Sequence, residues 1–312
     1  MHGWIILDKP VGIGSTPCVS AVKRALRDGG YAKAKVGHGG TLDPLASGVL
    51  PIAIGEATKL AGRLLDSDKV YDFTIRFGEQ TDTLDAEGKV VATSAVIPTA
   101  SDIAAVLPRF TGPIEQAPPA YSALKIDGKR AYDLARDGKD VCLAKRIVTV
   151  NSLSIRPERS RGIPSARAGV ATTLDTNGLV DAVFYASVSK GTYIRSLARD
   201  IARALGTVGH ITMLRRTRAG PFGLDRVISL DLLAEKAKGR ALEEVILPLT
   251  AGLDDIPALP VSASEAAMLR QGRALAGFFA KHGLHLATEG QTPVALVEIT
   301  DGDVRVVRGF NL

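Results

Sequence analysis

Apolar positions along this chain fall into short runs and alternations, each bounded by glycine, proline or charge. Gly3 to Leu7 is a run of buried-strand length that delivers Asp8-Lys9-Pro10-Val11-Gly12 into a turn. Next, Cys18, Val22, Ala25 and Leu26 keep helical spacing while Lys23, Arg24 and Arg27 face outward. Thr16 is the expected N-cap of that helix, Pro17 its first helical residue and Asp28-Gly29-Gly30 its end. Val49 to Ile54 reads as a buried strand and Glu56 to Leu65 as a helix. Lys69 to Phe77 alternates strictly, with Tyr71, Phe73, Ile75 and Phe77 on one face and Val70, Asp72, Thr74 and Arg76 on the other. Leu179 to Val188 alternates in the same way and ends at Ser189-Lys190-Gly191-Thr192. The helix after it is expected to bury Ile194, Leu197, Ala198, Ile201 and Leu205 and to stop at Gly206. Beyond Leu230 come two short helical segments. Ser262-x-x-Glu265 is a capping box opening a helix to Leu269, and Val294–Thr300 and Val304–Val307 flank Asp301-Gly302 as a hairpin.

These patterns describe a globular chain of 312 residues, 46% hydrophobic, long enough for one large domain and a small one. Three prolines between Pro248 and Pro260 put the boundary near Ile256, dividing residues 1–256 from 257–312. From Ser154 to Gly169 the composition turns to Arg, Pro, Ser and Gly, a surface insertion with no evident chemistry. Thirty-nine Lys and Arg against 33 Asp and Glu give a net charge of +6, a mild bias towards polyanionic partners such as nucleic acid. Cys18 and Cys142 form no C-x-x-C, so neither a disulfide framework nor a zinc knuckle is expected, and a reducing compartment fits. The run from Trp4 to Leu7 is too short for a signal segment and no later stretch approaches a membrane span, which leads us to expect a cytoplasmic protein with no membrane partner. No P-loop, dinucleotide-binding glycine pattern or internal repeat is present.

Candidate chemistry concentrates in a few places. Val36-Gly37-His38-Gly39-Gly40-Thr41-Leu42-Asp43-Pro44-Leu45-Ala46-Ser47-Gly48 holds one acid, Asp43, among four glycines, where the backbone can turn tightly and let a polar ligand approach. On local pattern Asp43 serves equally as the N-cap of a short helix with Pro44 at its first position. Tyr71 opens the apolar face of its strand, as a core-edge aromatic would. The polar stretch Gln80–Gly88 reads as a loop and lacks the glycine placement and terminal glutamate of an EF-hand. Lys125, Lys129 and Arg130 interleave with Tyr121 and Tyr132 beside the stiff Pro118-Pro119, and Leu214-Arg215-Arg216-Thr217-Arg218 adds three arginines suited to phosphate contacts. Arg195 lies in the first turn of its helix, where the dipole disfavours a cation, so a negative group is expected nearby.

Taken in order, Asp8-Lys9-Pro10, Gly37-His38-x-Gly40-x-Leu42-Asp43-Pro44-x-Ala46-x-Gly48, Gly55-Glu56-Ala57-Thr58-Lys59, Thr81-Asp82-Thr83-x-Asp85-x-x-Gly88, Pro118-Pro119-x-Tyr121-Ser122-Ala123-Leu124-Lys125, Lys190-Gly191-Thr192-Tyr193-Ile194-Arg195 and Leu214-Arg215-Arg216-Thr217 form a spaced set. In this set the chain closely resembles the TruB-type tRNA pseudouridine synthases, bacterial enzymes that isomerise a uridine in the T arm of tRNA. The resemblance implies an α+β fold around a mixed, mostly antiparallel central sheet with flanking helices, followed by a small C-terminal β-rich RNA-binding domain of the PUA type. It departs from the family pattern at Gly39, where Thr or Ala is common, and at Gly14, where Thr is usual.

By the same resemblance, Asp43 is the catalytic carboxylate, acting as nucleophile on the anomeric carbon or as base on its neighbour. Arg195 keeps that acid charged in a closed pocket. Tyr71 stacks on the target base and takes the proton from the carbon that forms the new bond. His38 fills the stack vacated by the flipped base, and Lys9, Pro10, Lys59, Tyr193 and Leu214 line the pocket. Lys125, Lys129, Arg130, Arg215, Arg216 and Arg218 hold RNA phosphates. The implied partner is the T-arm stem-loop of tRNA, with no cofactor and no obligate protein partner. Three rival readings stand beside this one: an RNA-binding or tRNA-refolding protein with dispensable catalysis, the related catalytic subunit of guide-RNA particles, and a glycoside or nucleoside hydrolase using Asp82 or Asp85 as a second carboxylate.

Overall fold

In the computed structural model of the protein the described residues are 1–122, 124–126, 128–139, 141, 143–155 and 178–312. The Arg-rich insertion expected from Ser154 to Gly169 falls mostly outside them, and Cys142 wholly so. The chain runs β1 (Gly3–Lys9), α1 (Ser15–Asp28), β2 (Val36–His38), β3 (Ala46–Ile54), a 3-10 turn (Gly55–Leu60), α2 (Ala61–Asp66), β4 (Lys69–Phe77), β5 (Glu79–Thr81), β6 (Val90–Thr93) and α3 (Ala100–Val106). It continues with β7 (Gly112–Gln116), β8 (Lys125–Ile126), β9 (Lys129–Arg130), α4 (Ala131–Arg136), β10 (Arg146–Ile155), β11 (Asp181–Val188), α5 (Ile194–Ala204), β12 (Gly209–Ala219), β13 (Phe222–Gly223) and α6 (Leu230–Lys238). Last come β14 (Ala258–Pro260), α7 (Ala263–Arg270), β15 (Gly283–Glu289), β16 (Thr292–Thr300) and β17 (Asp303–Gly309). This is an α+β fold with mainly antiparallel sheet.

Packing divides the chain into two compact units, residues 1–43, 48–65 and 219–312 in the first, 44–47 and 66–218 in the second. In the second unit β4, β11, β10 and β7 lie side by side and antiparallel, with β12 on the other flank of β4. The alternation of Lys69–Phe77 sets the register: Phe73 lies opposite Phe184 and Tyr71 opposite Ala186. Phe73 and Phe184 stack with centroids 5.3 Å apart. On this face sit Ile194, Leu197, Ala198, Ile201 and Ala202 of α5, all buried, while Leu205 is half-buried. Gly206 ends that helix with φ +72°, a conformation glycine adopts without strain.

The first unit pairs β1 with β3 from Gly3↔Ile54 to Lys9↔Gly48, and β2 with the far end of β3. A second sheet, β14-β15-β16-β17, carries one parallel pair, β14 with β15, and two antiparallel pairs. Trp4, Ile6, Val49 and Ala53 share one core with Leu286, Leu296 and Phe310 of the second sheet's strands and its exit. Trp4 is fully buried, and its indole N–H reaches the Leu249 carbonyl at 3.1 Å. The Ser262/Glu265 capping box forms as expected, with Glu265 accepting from the Ser262 amide at 2.7 Å. The hairpin turns at Asp301 (φ 51°) and Gly302 (φ 83°).

Three expected elements differ, and one strand was not expected. α1 starts at Ser15 with Gly14, not Thr16, as N-cap, because the Ser15 hydroxyl is held by residue 42 and sets the first turn there. The buried strand begins at Ala46 rather than Val49. Glu56–Leu65 divides into a 3-10 turn and a short α-helix from Ala61, since Gly55 at φ +59° starts a tighter turn. The arginine run at 215–218, to which the sequence assigns no element, lies in strand β12.

Candidate active site

In the first unit the turn after β1 is organised by Lys9. Its side chain is fully buried and the ammonium donates to the carbonyls of Pro10 (2.9 Å) and Ile13 (2.6 Å), which fixes the approach to α1. Ser15, at the first position of α1, both accepts from the Leu42 amide (2.8 Å) and donates to the Leu42 carbonyl (3.1 Å). Asp43 follows directly, half-buried. Upstream, His38 pairs with Ile52 in the β2–β3 ladder and its Nδ1 lies 3.4 Å from the Gly40 amide, with Gly40 at φ 140°. Gly39 packs on α2: a Cβ there would lie 2.8 Å from Leu64 Cδ1 and 2.9 Å from its Cβ. The chain's departure from Thr or Ala at 39 is thus matched by the leucine that fills the space.

Pro10 is exposed. Lys59 is held by the C-terminal end of β17, its ammonium 2.6 Å from Glu56 Oε2 and 2.9 Å from the Gly309 carbonyl. The same Glu56 oxygen accepts from the Asn311 amide at 2.8 Å. These bonds hold the Glu56 carboxyl below its ordinary range although burial acts the other way.

In the second unit Tyr71 and Leu214 are half-buried and pack against the same core cluster as Ile194 and Leu197. Arg195 is 6% exposed. Its guanidinium donates to the Thr83 carbonyl (3.0 Å) and the Tyr121 carbonyl (3.1 Å) and lies 3.6 Å from Asp85 Oδ2. Asp85 is fixed in turn by the Thr83 hydroxyl (2.6 Å) and the Glu87 amide (3.1 Å). Between Thr83 and Asp85 sits Leu84 at φ 63°, a conformation that a leucine adopts only when its surroundings impose it. That local inversion turns the Thr83 carbonyl and the Asp85 carboxylate to one guanidinium. The negative group expected beside Arg195 is therefore met within this unit by Asp85, a residue whose motif was visible and whose partner was not.

Tyr193 caps α5 without a side-chain bond of its own; instead the fully buried Gln116 binds its main chain twice, donating to the carbonyl (3.2 Å) and accepting from the amide (2.8 Å). Arg146 lies over the Tyr193 ring at 5.1 Å and donates to the Gly191 carbonyl. Tyr121 and Tyr132 meet edge to face at 5.9 Å, with Arg136 over Tyr132 at 4.7 Å. Burial and the neighbouring Asp82 push the Tyr121 phenol above its ordinary range.

Lys125, Lys129, Arg130 and Arg218 are exposed and Arg215 is half-buried, 3.4 Å from the Ser47 hydroxyl. Arg216 is 1% exposed, so its guanidinium lies beneath the surface rather than among the surface cations with which it was grouped. Beside it Lys69 is also buried, donating to the Ser67 carbonyl at 2.5 Å. Burial first, and the Arg216 charge second, lower the Lys69 ammonium to about 8.

The fold and the sequence as a whole match a pseudouridylate synthase. Residues 29–194 fit the family profile described as TruB family pseudouridylate synthase (N terminal domain), and 195–254 that of the tRNA pseudouridylate synthase B C-terminal domain. Relatives named tRNA pseudouridine synthase B include one from Novosphingobium aromaticivorans, 57% identical over all of this chain and 98% of its own, and one from Zymomonas mobilis, 55% identical over 100% and 96%. Among solved structures the chain is similar to a component of an H/ACA RNP bound to a substrate RNA containing 2'-deoxyuridine, with TM-score 0.69 and 26% identity over 99% of this chain and 85% of that one. The chain belongs to the TruB family and is an isomerase.

Proposed function

We propose that this protein isomerises uridine to pseudouridine in tRNA, and that its target is a uridine of the T arm. The observation that carries the reading is likeness over the whole chain to proteins named tRNA pseudouridine synthase B. In this reading the target nucleotide is flipped out of the stack and His38 takes its place. Asp43 serves as the single carboxylate at the ribose. The bond from the anomeric carbon to N1 breaks, the uracil turns, and a bond to C5 replaces it. The proton leaves C5 to Tyr71 and N1 gains one, so atoms and electrons balance without a cofactor. Arg195 supplies positive charge that favours the ionised carboxylate. Pro10, Tyr193 and Leu214 line the pocket, and Lys125, Lys129, Arg130, Arg215 and Arg218 meet phosphates. Residues 1–256 carry catalysis and 257–312 a small RNA-binding module, in the cytoplasm.

The test is tritium release from a T-arm stem-loop RNA labelled at C5 of uridine, with wild type and Asp43→Asn side by side. Release by wild type and none by the variant is expected. No release by either, with RNA binding intact, would overturn the catalytic reading and leave an RNA-binding or refolding protein.

A further inference from the structure

We propose that Ser15 is a positioning residue for the catalytic carboxylate, acting through the main chain of Leu42. The role rests on the reading of Asp43 as that carboxylate. One hydroxyl satisfies both polar groups of the residue that precedes Asp43, accepting from its N–H at 2.8 Å and donating to its C=O at 3.1 Å. Ser15 and Leu42 are each 4% exposed, so water does not replace either bond. The clamp reaches across 27 residues of sequence and joins the first turn of a 14-residue helix to a loop rich in glycine. A helix is a rigid mount, whereas that loop turns at Gly40, with φ 140°.

Further back in the loop, the Gly39 amide bonds the Pro51 carbonyl at 2.8 Å and the Gly39 backbone packs against Leu64. Both act four residues before Asp43. Ser15 binds the residue directly before the acid through both of its main-chain polar groups. The neighbouring Gly14 is the helix N-cap and carries no side chain that could substitute for the hydroxyl. Lys9 completes the mount, since its bond to the Ile13 carbonyl sets the turn that leads into Ser15. None of these three residues needs to touch the uridine for the placement of Asp43 to depend on them.

Removing the hydroxyl leaves the helix sound, because alanine is at least as good a helix former as serine. What is lost is orientation, and a displacement of about 1 Å at a reacting group costs on the order of 100-fold in rate. Ser15→Ala and Ser15→Thr would be compared with wild type by single-turnover tritium release, RNA affinity, melting temperature and amide hydrogen exchange. For Ser15→Ala we expect a turnover rate about 10- to 100-fold lower, RNA affinity within about 2-fold, and exchange of the Leu42 amide at least about 10-fold faster; Ser15→Thr, which keeps the hydroxyl, should recover most of the rate. A Ser15→Ala rate within about 2-fold of wild type would overturn the proposal. So would a loss of rate, affinity and melting temperature together with unchanged exchange at Leu42, which would mark a role in general stability. If wild type itself released no tritium, the assignment of Asp43 would fail, while the exchange measurement would still show whether Ser15 holds the loop.

Discussion

A guanidinium taken out of water must find acceptors, and Arg195 finds two carbonyls and one carboxylate within its own unit. Asp85→Asn removes the charge and keeps the shape. Because the Thr83 and Tyr121 carbonyls remain, we expect a loss of about 2–3 kcal/mol in unfolding free energy, at the low end for breaking a buried pair, readable by denaturant titration. The Arg195 side chain would also lose its fixed direction, so the rate of tritium release should fall more than RNA affinity does. Lys69 gives the opposite kind of prediction. Its folded-state ammonium titrates near 8, below the ordinary 10.5, so burial of the charge is a cost fully present below pH 8. Between about pH 8 and 10.5 the unfolded chain keeps the proton and the folded one releases it, and stability rises by up to about 3 kcal/mol relative to a variant without the group. Unfolding titrations of wild type and Lys69→Gln at pH 8 and pH 10 should therefore diverge, with wild type gaining more. Equal slopes would show that Lys69 keeps an ordinary affinity for its proton.

Elements whose signal is local were legible in the sequence. β4 spans the alternation from Lys69 to Phe77 end to end, and α7 begins where Ser262 and Glu265 said it would. β12 was missed because Arg215, Arg216 and Arg218 interrupt the apolar alternation and drew attention as phosphate ligands. Of the proposed site, Asp43, Tyr71 and Arg195 came from the resemblance. The supports of that site were not visible, because the Ser15 hydroxyl, the Gln116 amide and the Thr83 carbonyl act on residues 27, 77 and 112 positions away. No periodicity or short motif encodes such a contact. The 3-10 turn from Gly55 to Leu60 is a case in point: the resemblance implies a pocket role for Lys59, and Glu56 and Lys59 also bind Gly309 and Asn311, contacts that no local pattern announces. Glu56→Ala should loosen that clasp, with a stability loss of about 1–2 kcal/mol and faster proteolysis or hydrogen exchange confined to residues 309–311. Unchanged protection there would mean that β17 is held by its sheet alone.

At the scale of the whole molecule, charge is unevenly spread along the sequence. Residues 257–312 contain five Lys or Arg and five Asp or Glu, so the +6 belongs to residues 1–256. Within 257–312, Arg270 pairs with Glu289 and Arg305 with Asp303. Any contribution of this segment to RNA binding should then rest on shape, and the salt dependence should come from the rest of the chain. Lys129→Ala is expected to reduce the slope of log affinity against log salt by about 0.7–0.9, whereas Lys281→Ala should leave it unchanged. A reversed pattern would move the phosphate contacts to the C-terminal segment. The core that joins Trp4 to Phe310 has a further consequence, for the ribosome rather than for the finished enzyme. A chain leaves the ribosome N-terminus first at roughly 5–20 residues per second, so Trp4 waits roughly 15–60 s for Phe310, although β3, the strand that pairs with β1, is made early. Over that interval β1 can pair with β3 and residues 66–218 can close their own core, while the core around Trp4 and Ile6 still lacks Leu286, Leu296 and Phe310. The nascent chain thus spends most of its synthesis with this core only partly filled, the natural point for a chaperone to bind.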